Sequence, residues 1–70
     1  MPESKEAALE RAKREGFPES SVQKGEKGWY IIPHGITNAK AKSVYIQARD
    51  AGNNSAQSAS IAWHVQKLNQ

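Results

Sequence analysis

Two histidines are the natural candidates for acid–base chemistry in this chain, because proton transfer needs a group that titrates near neutral pH. His34 lies between a proline and a glycine in a predicted loop, and His64 lies at the edge of an apolar stripe in a predicted helix. A metal site would need a third ligand at suitable spacing, and the acidic residues lie far from both histidines in sequence. We therefore interpret His34 as a solvated loop residue and His64 as a half-buried helix residue, and we predict no metal or cofactor site.

The other residue types that carry covalent or phosphate chemistry are absent or wrongly spaced. The chain has no cysteine, which excludes a disulfide framework, a thiolate zinc site and a cysteine nucleophile. No serine lies in a Gly-x-Ser-x-Gly turn, and the glycines form neither a phosphate-binding loop nor a dinucleotide fingerprint. We predict that the protein is not an enzyme.

Basic residues are concentrated in the second part of the chain, where six of them from residue 20 onward face two acidic ones. An anion-binding surface is therefore expected there. The candidate nucleic-acid-binding residues are three basic residues of one predicted helix and three amides near the start of the next: Lys40, Lys42, Arg49, Asn53, Asn54 and Gln57. The basic side chains could contact phosphates and the amides could bond base edges. A solvated helix face and ordinary turns and caps explain the same residues equally well.

Two large apolar residues, Ile46 and Trp63, are candidates for binding a protein partner. Trp63 lies across its helix from the main apolar stripe, so it cannot belong to the same seam. We favour a buried Trp63 that forms a second wall of the core. The alternative is an exposed anchor, since tryptophan concentrates binding energy at interfaces. Trp29 and Tyr30 could stack on unpaired bases, but we interpret both as structural residues in so small a domain.

The elements that must position these residues are three helices and a hairpin, which defines an α+β fold in the order helix, strand, strand, helix, helix. Helices are predicted over 5–15, 38–51 and 55–68, and a two-stranded hairpin over 21–32. Ser4, Thr37 or Asn38, and Asn54 are the expected N-caps, and Gly16 and Gly52 the expected helix stops.

The predicted core lies where the C-terminal helical pair packs on one face of the hairpin. It consists of Val22, Trp29, Ile31, Val44, Tyr45, Ala48, Ile61, Ala62, Val65 and Leu68. Leu9 and Phe17 are expected to form a weaker satellite contact, because the first helix has a thin apolar stripe.

The C-terminal helical pair has the skeleton of a helix-turn-helix. Ala48 provides a small residue where two helices would cross, and Gly52 provides the sharp turn. One departure is that Ser58 occupies a position at which a buried valine or isoleucine is expected. A plain helical hairpin closed by Gly52 explains the same residues.

Two stretches of this pair resemble known families. Residues 45–54, followed by 59–62, are similar to a short prokaryotic family of unknown function with the pattern Tyr-x-x-Leu-Arg-Asp-x-Gly-x-Ser and then Ala-x-Ile-Ala. Here Ala48 replaces the leucine and Asn54 the serine. Residues 61–67 resemble the tail of the ChaB family, which is associated by name with regulation of cation transport. The resemblances imply a small prokaryotic domain and assign no catalytic or binding residue.

Length and composition limit the remaining possibilities. Seventy residues with 37% hydrophobic content make one thinly cored domain, residues 1–70, with a net charge of +3. No apolar run could span a bilayer and the first residues are charged, so we expect a cytoplasmic protein. The leading hypothesis is a non-enzymatic module that binds nucleic acid through the helix-turn-helix-like pair. The alternative is a protein-interaction or accessory domain that uses exposed apolar residues.

Overall fold

The computed structural model describes residues 3–69 and confirms the α+β fold with the predicted order of elements. The elements are α1 (Lys5–Glu15), β1 (Val22–Lys24), β2 (Trp29–Ile31), α2 (Ala39–Asp50) and α3 (Ser55–Leu68), with a short 3-10 turn (Glu19–Ser21) before β1. Within residues 3–69, no helix is both long enough and apolar enough to cross a membrane.

Helix α1 is held by its caps and by two buried alanines. The Ser4 hydroxyl accepts a hydrogen bond from the Ala7 amide at its start. At its end, Gly16 adopts the left-handed conformation. The following Phe17 amide then donates to the Ala12 carbonyl at 2.8 Å, which ends the helix. The buried face consists of Ala8 and Ala12, so α1 packs closely on the hairpin but buries little apolar surface.

Strands β1 and β2 form a two-stranded antiparallel sheet in which Gln23 pairs with Tyr30. The turn between them lies close to the end of α2. An ideal Cβ at Gly25 would be 2.5 Å from Cε2 of Tyr30 and 2.7 Å from Oδ1 of Asp50. Because no side chain fits this space, glycine is required at position 25.

Helices α2 and α3 pack against each other and are joined by a tight turn. Asn38 caps α2 by accepting from the Ala41 amide at 2.7 Å. Gly52 has φ of 102°, and the following Asn53 amide donates to the Ala48 carbonyl at 3.1 Å. This is the hydrogen-bond pattern of a Schellman motif, in which a glycine in the left-handed conformation ends a helix. The turn therefore forms for the reason that the sequence indicates.

The hairpin separates two clusters of buried side chains. We call the larger one the helical-pair cluster; it contains Tyr30, Ile32, Ile36, Ala41, Tyr45 and Ala62. The smaller one, the N-terminal cluster, contains Ala8, Ala12, Val22 and Ile31, with Leu9, Phe17 and Trp29 partly buried against it. The predicted contact of Leu9 and Phe17 lies in this second cluster.

The predicted core was correct for four residues and wrong for others. Val22, Ile31, Tyr45 and Ala62 are buried. Trp29, Val44, Ala48 and Val65 are only partly buried. Ile61 and Leu68 are exposed, at 44% and 72%, and Trp63 is 45% exposed instead of forming a wall of the core.

The error on α3 has a physical reason. Helix α3 buries the row Ser58, Ala62 and Gln66, which lies between the two apolar stripes that the sequence predicts. Small side chains in this row let the backbones of α2 and α3 approach closely, and the buried glutamine gains hydrogen bonds there. Both apolar stripes consequently lie at the flanks of the contact instead of at its centre.

Candidate functional site

The carboxylate of Asp50 joins the end of α2 to the hairpin. It accepts hydrogen bonds from the Tyr30 hydroxyl at 2.5 Å and from the Glu26 and Lys27 amides at 2.9 and 3.0 Å. The Tyr30 hydrogen bond, followed by the two amides, holds the pKa of Asp50 below its usual value. Burial, reinforced by the hydrogen bond to Asp50, raises the pKa of Tyr30 to about 12. Asp50 is therefore a structural carboxylate with its lone pairs engaged.

Arg49, a candidate nucleic-acid contact, is half-buried against the same region. Its guanidinium lies 5.3 Å from the centre of the Tyr30 ring, a cation–π geometry. Nη1 donates to the Asn53 carbonyl at 3.4 Å, whereas Nε is buried without a hydrogen-bond partner among the described residues. The stacking leaves Arg49 with limited freedom to reach a phosphate.

The three candidate amides at the start of α3 are engaged in local structure. Asn53 Nδ2 donates to the Ala48 carbonyl at 3.1 Å. Asn54 and Gln57 form a reciprocal capping box, in which the Gln57 amide donates to Asn54 Oδ1 at 2.8 Å and the Asn54 amide donates to Gln57 Oε1 at 3.1 Å. Because the cap uses the side-chain oxygens of Asn54 and Gln57, bidentate base reading by these two residues would require the cap to open. The assignment of the three amides to nucleic acid stays a prediction.

Lys40 and Lys42 lie on different sides of α2. Lys40 is exposed near the N-terminus of the helix, and Lys42 is half-buried where α2 faces the hairpin. Within residues 3–69 the one ion pair joins Arg11 to Glu3, so neither lysine has a carboxylate partner within 4 Å. These two basic side chains are available to an anionic ligand.

A groove separates β1 from α2, and we call it the β1–α2 groove. It is lined by residues 23–26 of the hairpin and by Ala39, Lys42, Ser43, Ile46 and Gln47 of α2. Ile46, a candidate partner-binding residue, is half-buried and packs on the helical-pair cluster. The groove thus brings together one residue from each set of sequence candidates, Lys42 and Ile46.

The solvent-facing side of α3 carries the exposed large apolar residues of the part of the chain that the structure describes. Ile61, Val65 and Leu68 follow one another at i, i+4 and i+7 on one flank, and we call them the apolar row. Trp63 lies on the opposite flank, beside Gly35. An ideal Cβ built on Gly35 would be 3.5 Å from Cζ2 of Trp63. The two predicted partner-binding residues, Ile46 and Trp63, are therefore on separate surfaces.

The two histidines do not meet. His34 is exposed, and its ring stacks on Phe17 with centroids 4.2 Å apart. His64 is exposed on α3, so the prediction of a half-buried His64 was wrong, because the buried row lies on the far side of the helix. Among the described residues, no three metal-ligating side chains lie together.

Gln66 is the structurally most engaged side chain that sequence reasoning missed. Its Oε1 accepts from the Thr37 amide at 2.6 Å and the Asn38 amide at 3.2 Å, and its Nε2 donates to the Gly35 carbonyl at 2.5 Å. It thereby fixes the loop that precedes α2 onto α3. The sequence carries no signal for this contact, because its partners are backbone groups about thirty residues away.

Comparisons of the chain with known protein families, with curated proteins and with solved structures found no significant match. The resemblances of α2 and α3 to the short prokaryotic family and to the ChaB family stay predictions.

Proposed function

We propose that this protein is a non-enzymatic binding module whose partner is another protein, held at the apolar row of α3. The observation that carries the proposal is the exposure of Ile61 and Leu68 in a domain whose core is otherwise built from few large side chains. Single exposed apolar residues are ordinary on protein surfaces. A row at helical spacing is different, because it presents a continuous apolar strip against which a partner can pack.

Interface energetics support a protein partner at this row. Covering apolar surface stabilises a complex by about 25 cal/mol per Å² of area removed from water. The row costs the isolated domain little to keep, since neither Ile61 nor Leu68 is needed for its core. Polar residues flank the row, with Ser60 and His64 exposed beside it, as the rim of an interface requires.

A site-specific photo-cross-linking experiment tests this proposal. A benzophenone side chain at position 61 should cross-link a defined protein in the source cells, whereas one at Glu10 on α1 should not. The partner is then purified and its affinity measured. The double variant Ile61→Ser, Leu68→Ser should melt near the parent temperature and bind the partner at least about tenfold more weakly. Ser60→Ala is the matched control and should bind like the parent.

Four results would overturn the proposal. Cross-linking at position 61 could yield only a second copy of this chain, only nucleic acid, or no product. Equal affinity of the double variant and the parent would likewise show that the apolar row is not the binding surface.

Nucleic-acid binding is the second candidate function, and the observation that favours it is the absence of ion-pair partners for Lys40 and Lys42 within residues 3–69. With a net charge of +3, the domain attracts polyanions, and each phosphate contact makes binding depend on salt through counterion release. In this proposal the lysines contact phosphates, and the amides at the start of α3 stay in their turn and cap without reading bases.

Titration with labelled duplex and single-stranded DNA at several salt concentrations tests this second function. Backbone amide shifts should cluster between Lys40 and Asn54 and disappear as salt is added. Lys40→Ala and Lys42→Ala should each reduce the slope of log affinity against log salt by about 1. Lys13→Ala on α1 is the matched control. An unchanged spectrum at low salt would exclude nucleic-acid binding by this surface.

A further inference from the structure

The two edges of the sheet differ in how their backbone groups are used. Along β2, the Trp29 amide donates to the Glu3 carbonyl at 3.1 Å, so the segment before α1 forms a bridge on this edge. The Glu3 carboxylate is held in turn by Arg11 of α1. The chain therefore covers the outer edge of β2 with its own N-terminal segment.

Along the opposite edge, the Val22 amide of β1 donates to the Glu19 carbonyl of the preceding turn, whereas no described group bonds the Lys24 amide or carbonyl. The Gly25 amide donates to the Gly28 carbonyl, and the Ile32 amide donates to the Ser21 carbonyl. These two bonds fix which pairs of the ladder are hydrogen-bonded. Hydrogen-bonded and open pairs alternate in an antiparallel sheet, so Lys24 belongs to an open pair and directs its N–H and C=O outward. Outward-facing groups of this kind are a template for a further strand.

The free edge faces the β1–α2 groove. Residues 23–26 are consecutive, and all of them line the groove. Successive side chains of a strand point to opposite faces, so the shared lining by the strand residues Gln23 and Lys24 indicates a groove along the edge of β1. Gly25 and Glu26 extend this lining into the turn. Across the groove, α2 presents the half-buried Lys42 and Ile46. An edge strand facing a helix across a groove is the geometry in which domains bind extended peptides by strand addition.

We propose that the β1–α2 groove binds an extended peptide segment of another protein, which adds to β1 as a third strand and places an acidic side chain at Lys42 and an aliphatic side chain at Ile46. The spacing supports this pairing: Lys42 and Ile46 are one helical turn apart, about 6 Å along α2, and residues i and i+2 of a strand are about 6.6 Å apart. One peptide strand can therefore present both side chains to α2.

Charge complementarity selects the acidic residue. Lys42 has no carboxylate partner within 4 Å among residues 3–69, although two acids line the groove. Glu26 is not paired with it, and Asp50 already accepts three hydrogen bonds. An acidic side chain of the peptide can therefore pair with the Lys42 ammonium group without displacing an existing ion pair. This site is separate from the apolar row of α3, so it does not depend on the function proposed above.

Two synthetic pentapeptides with blocked ends test the proposal by NMR titration of the full chain. In each, a valine and a glutamate two residues apart are set among threonines, in either order, because the strand direction is free. The Lys24 amide should shift and exchange more slowly with solvent, since it becomes hydrogen-bonded. Replacing the glutamate with lysine should weaken binding by about tenfold or more, a change of one charged contact.

A matched pair of variants isolates the backbone contact. Lys24→Pro removes the outward N–H without touching the hydrogen-bonded pairs, which edge strands tolerate, and should abolish binding while the rest of the spectrum stays folded. Lys24→Ala keeps the N–H and should retain the peptide binding that Lys24→Pro loses, apart from any weakening due to the missing charge. The proposal is overturned if neither pentapeptide shifts residues of β1 and α2 at millimolar concentration, if the shifts map to the apolar row, or if Lys24→Pro binds like the parent.

Discussion

The two faces of the hairpin are covered in different ways. On the α1 side, Val22 and Ile31 pack against two alanines, with larger side chains only partly buried around them. On the α2 and α3 side, two tyrosines and two isoleucines pack with two alanines, and polar anchors surround them. Asp50 ties α2 to the turn, and Gln66 ties the loop before α2 to α3. The second face therefore combines larger buried surfaces with buried hydrogen bonds.

This difference indicates which half of the molecule determines its stability. Alanine contributes little transfer free energy on burial, whereas each large side chain contributes about 1.5–3 kcal/mol. The α1 side should therefore open locally at a lower free energy than the helical pair. The proposed binding residues of α2 and α3 lie on the more stable half, and β1 belongs to the hairpin between the two halves.

The largest predicted effect compares two neighbouring isoleucines. Ile31 belongs to the N-terminal cluster and Ile32 to the helical-pair cluster, so their truncation tests the two faces separately. Truncating a buried isoleucine to alanine costs about 2–5 kcal/mol, depending on how well the site collapses. We expect Ile32→Ala to lose about 4 kcal/mol of unfolding free energy and Ile31→Ala about 2 kcal/mol. Chemical denaturation measures both, and equal losses would contradict the difference between the two faces.

Gln66→Leu should have the second-largest effect. Leucine fills a similar volume but leaves the Thr37 and Asn38 amides and the Gly35 carbonyl without their partner. An unpaired polar group in a partly buried site costs about 1–3 kcal/mol, and we expect a total loss of about 3 kcal/mol. Gln47→Leu, at an exposed glutamine of α2, is the control and should change the unfolding free energy by no more than about 0.5 kcal/mol. A leucine variant as stable as the parent would show that the Gln66 hydrogen bonds do not stabilise this face.

Local signals predicted the elements well because they depend on neighbouring residues. The caps at Ser4 and Asn54 and the stop at Gly52 are short-range hydrogen-bond patterns that the sequence displays directly. The faces of α3 were predicted less well. Hydrophobic periodicity assigns the core to Ile61 and Leu68, but the helix buries Ser58 and Gln66, whose burial depends on distant partners.

The candidate sites show the same limit. The sequence places Lys42 and Ile46 outside the predicted core, and both are half-buried, but it cannot show that they share a groove with β1. It offers Asn53, Asn54 and Gln57 both as amides for base edges and as turn and cap residues, and the structure engages them in the turn and cap. Whether an amide is free depends on geometry that composition does not carry.

Ser58→Ala gives a smaller prediction, of opposite sign. Ser58 is fully buried between α2 and α3, and its hydroxyl has no hydrogen-bond partner among the described residues. Removing this unpaired group and raising helix propensity should stabilise the protein by about 0.5–1 kcal/mol, measured by thermal melting. Ser58→Val serves as the comparison, because a larger side chain should overpack the close contact and destabilise it. If Ser58→Ala is destabilising, the hydroxyl has a partner and the contact is not a purely steric one.

The smallest effect at neutral pH, and the most specific, concerns Tyr30 and Asp50. The pKa of Tyr30 is raised from 10.0 to about 12, first by burial and then by its hydrogen bond to Asp50. Because the folded state resists ionisation of Tyr30 while the unfolded state ionises, this contribution to stability is complete below pH 10 and is lost as the pH rises towards 12.

Asp50→Asn removes the negative charge next to the hydroxyl, so the pKa of Tyr30 should fall towards 10 without reaching it, since burial remains. Ultraviolet absorbance of tyrosinate follows the titration, and Tyr30→Phe assigns the signal by leaving that of Tyr45 alone. A Tyr30 titration unchanged in Asp50→Asn would show that the carboxylate does not couple the hairpin to α2.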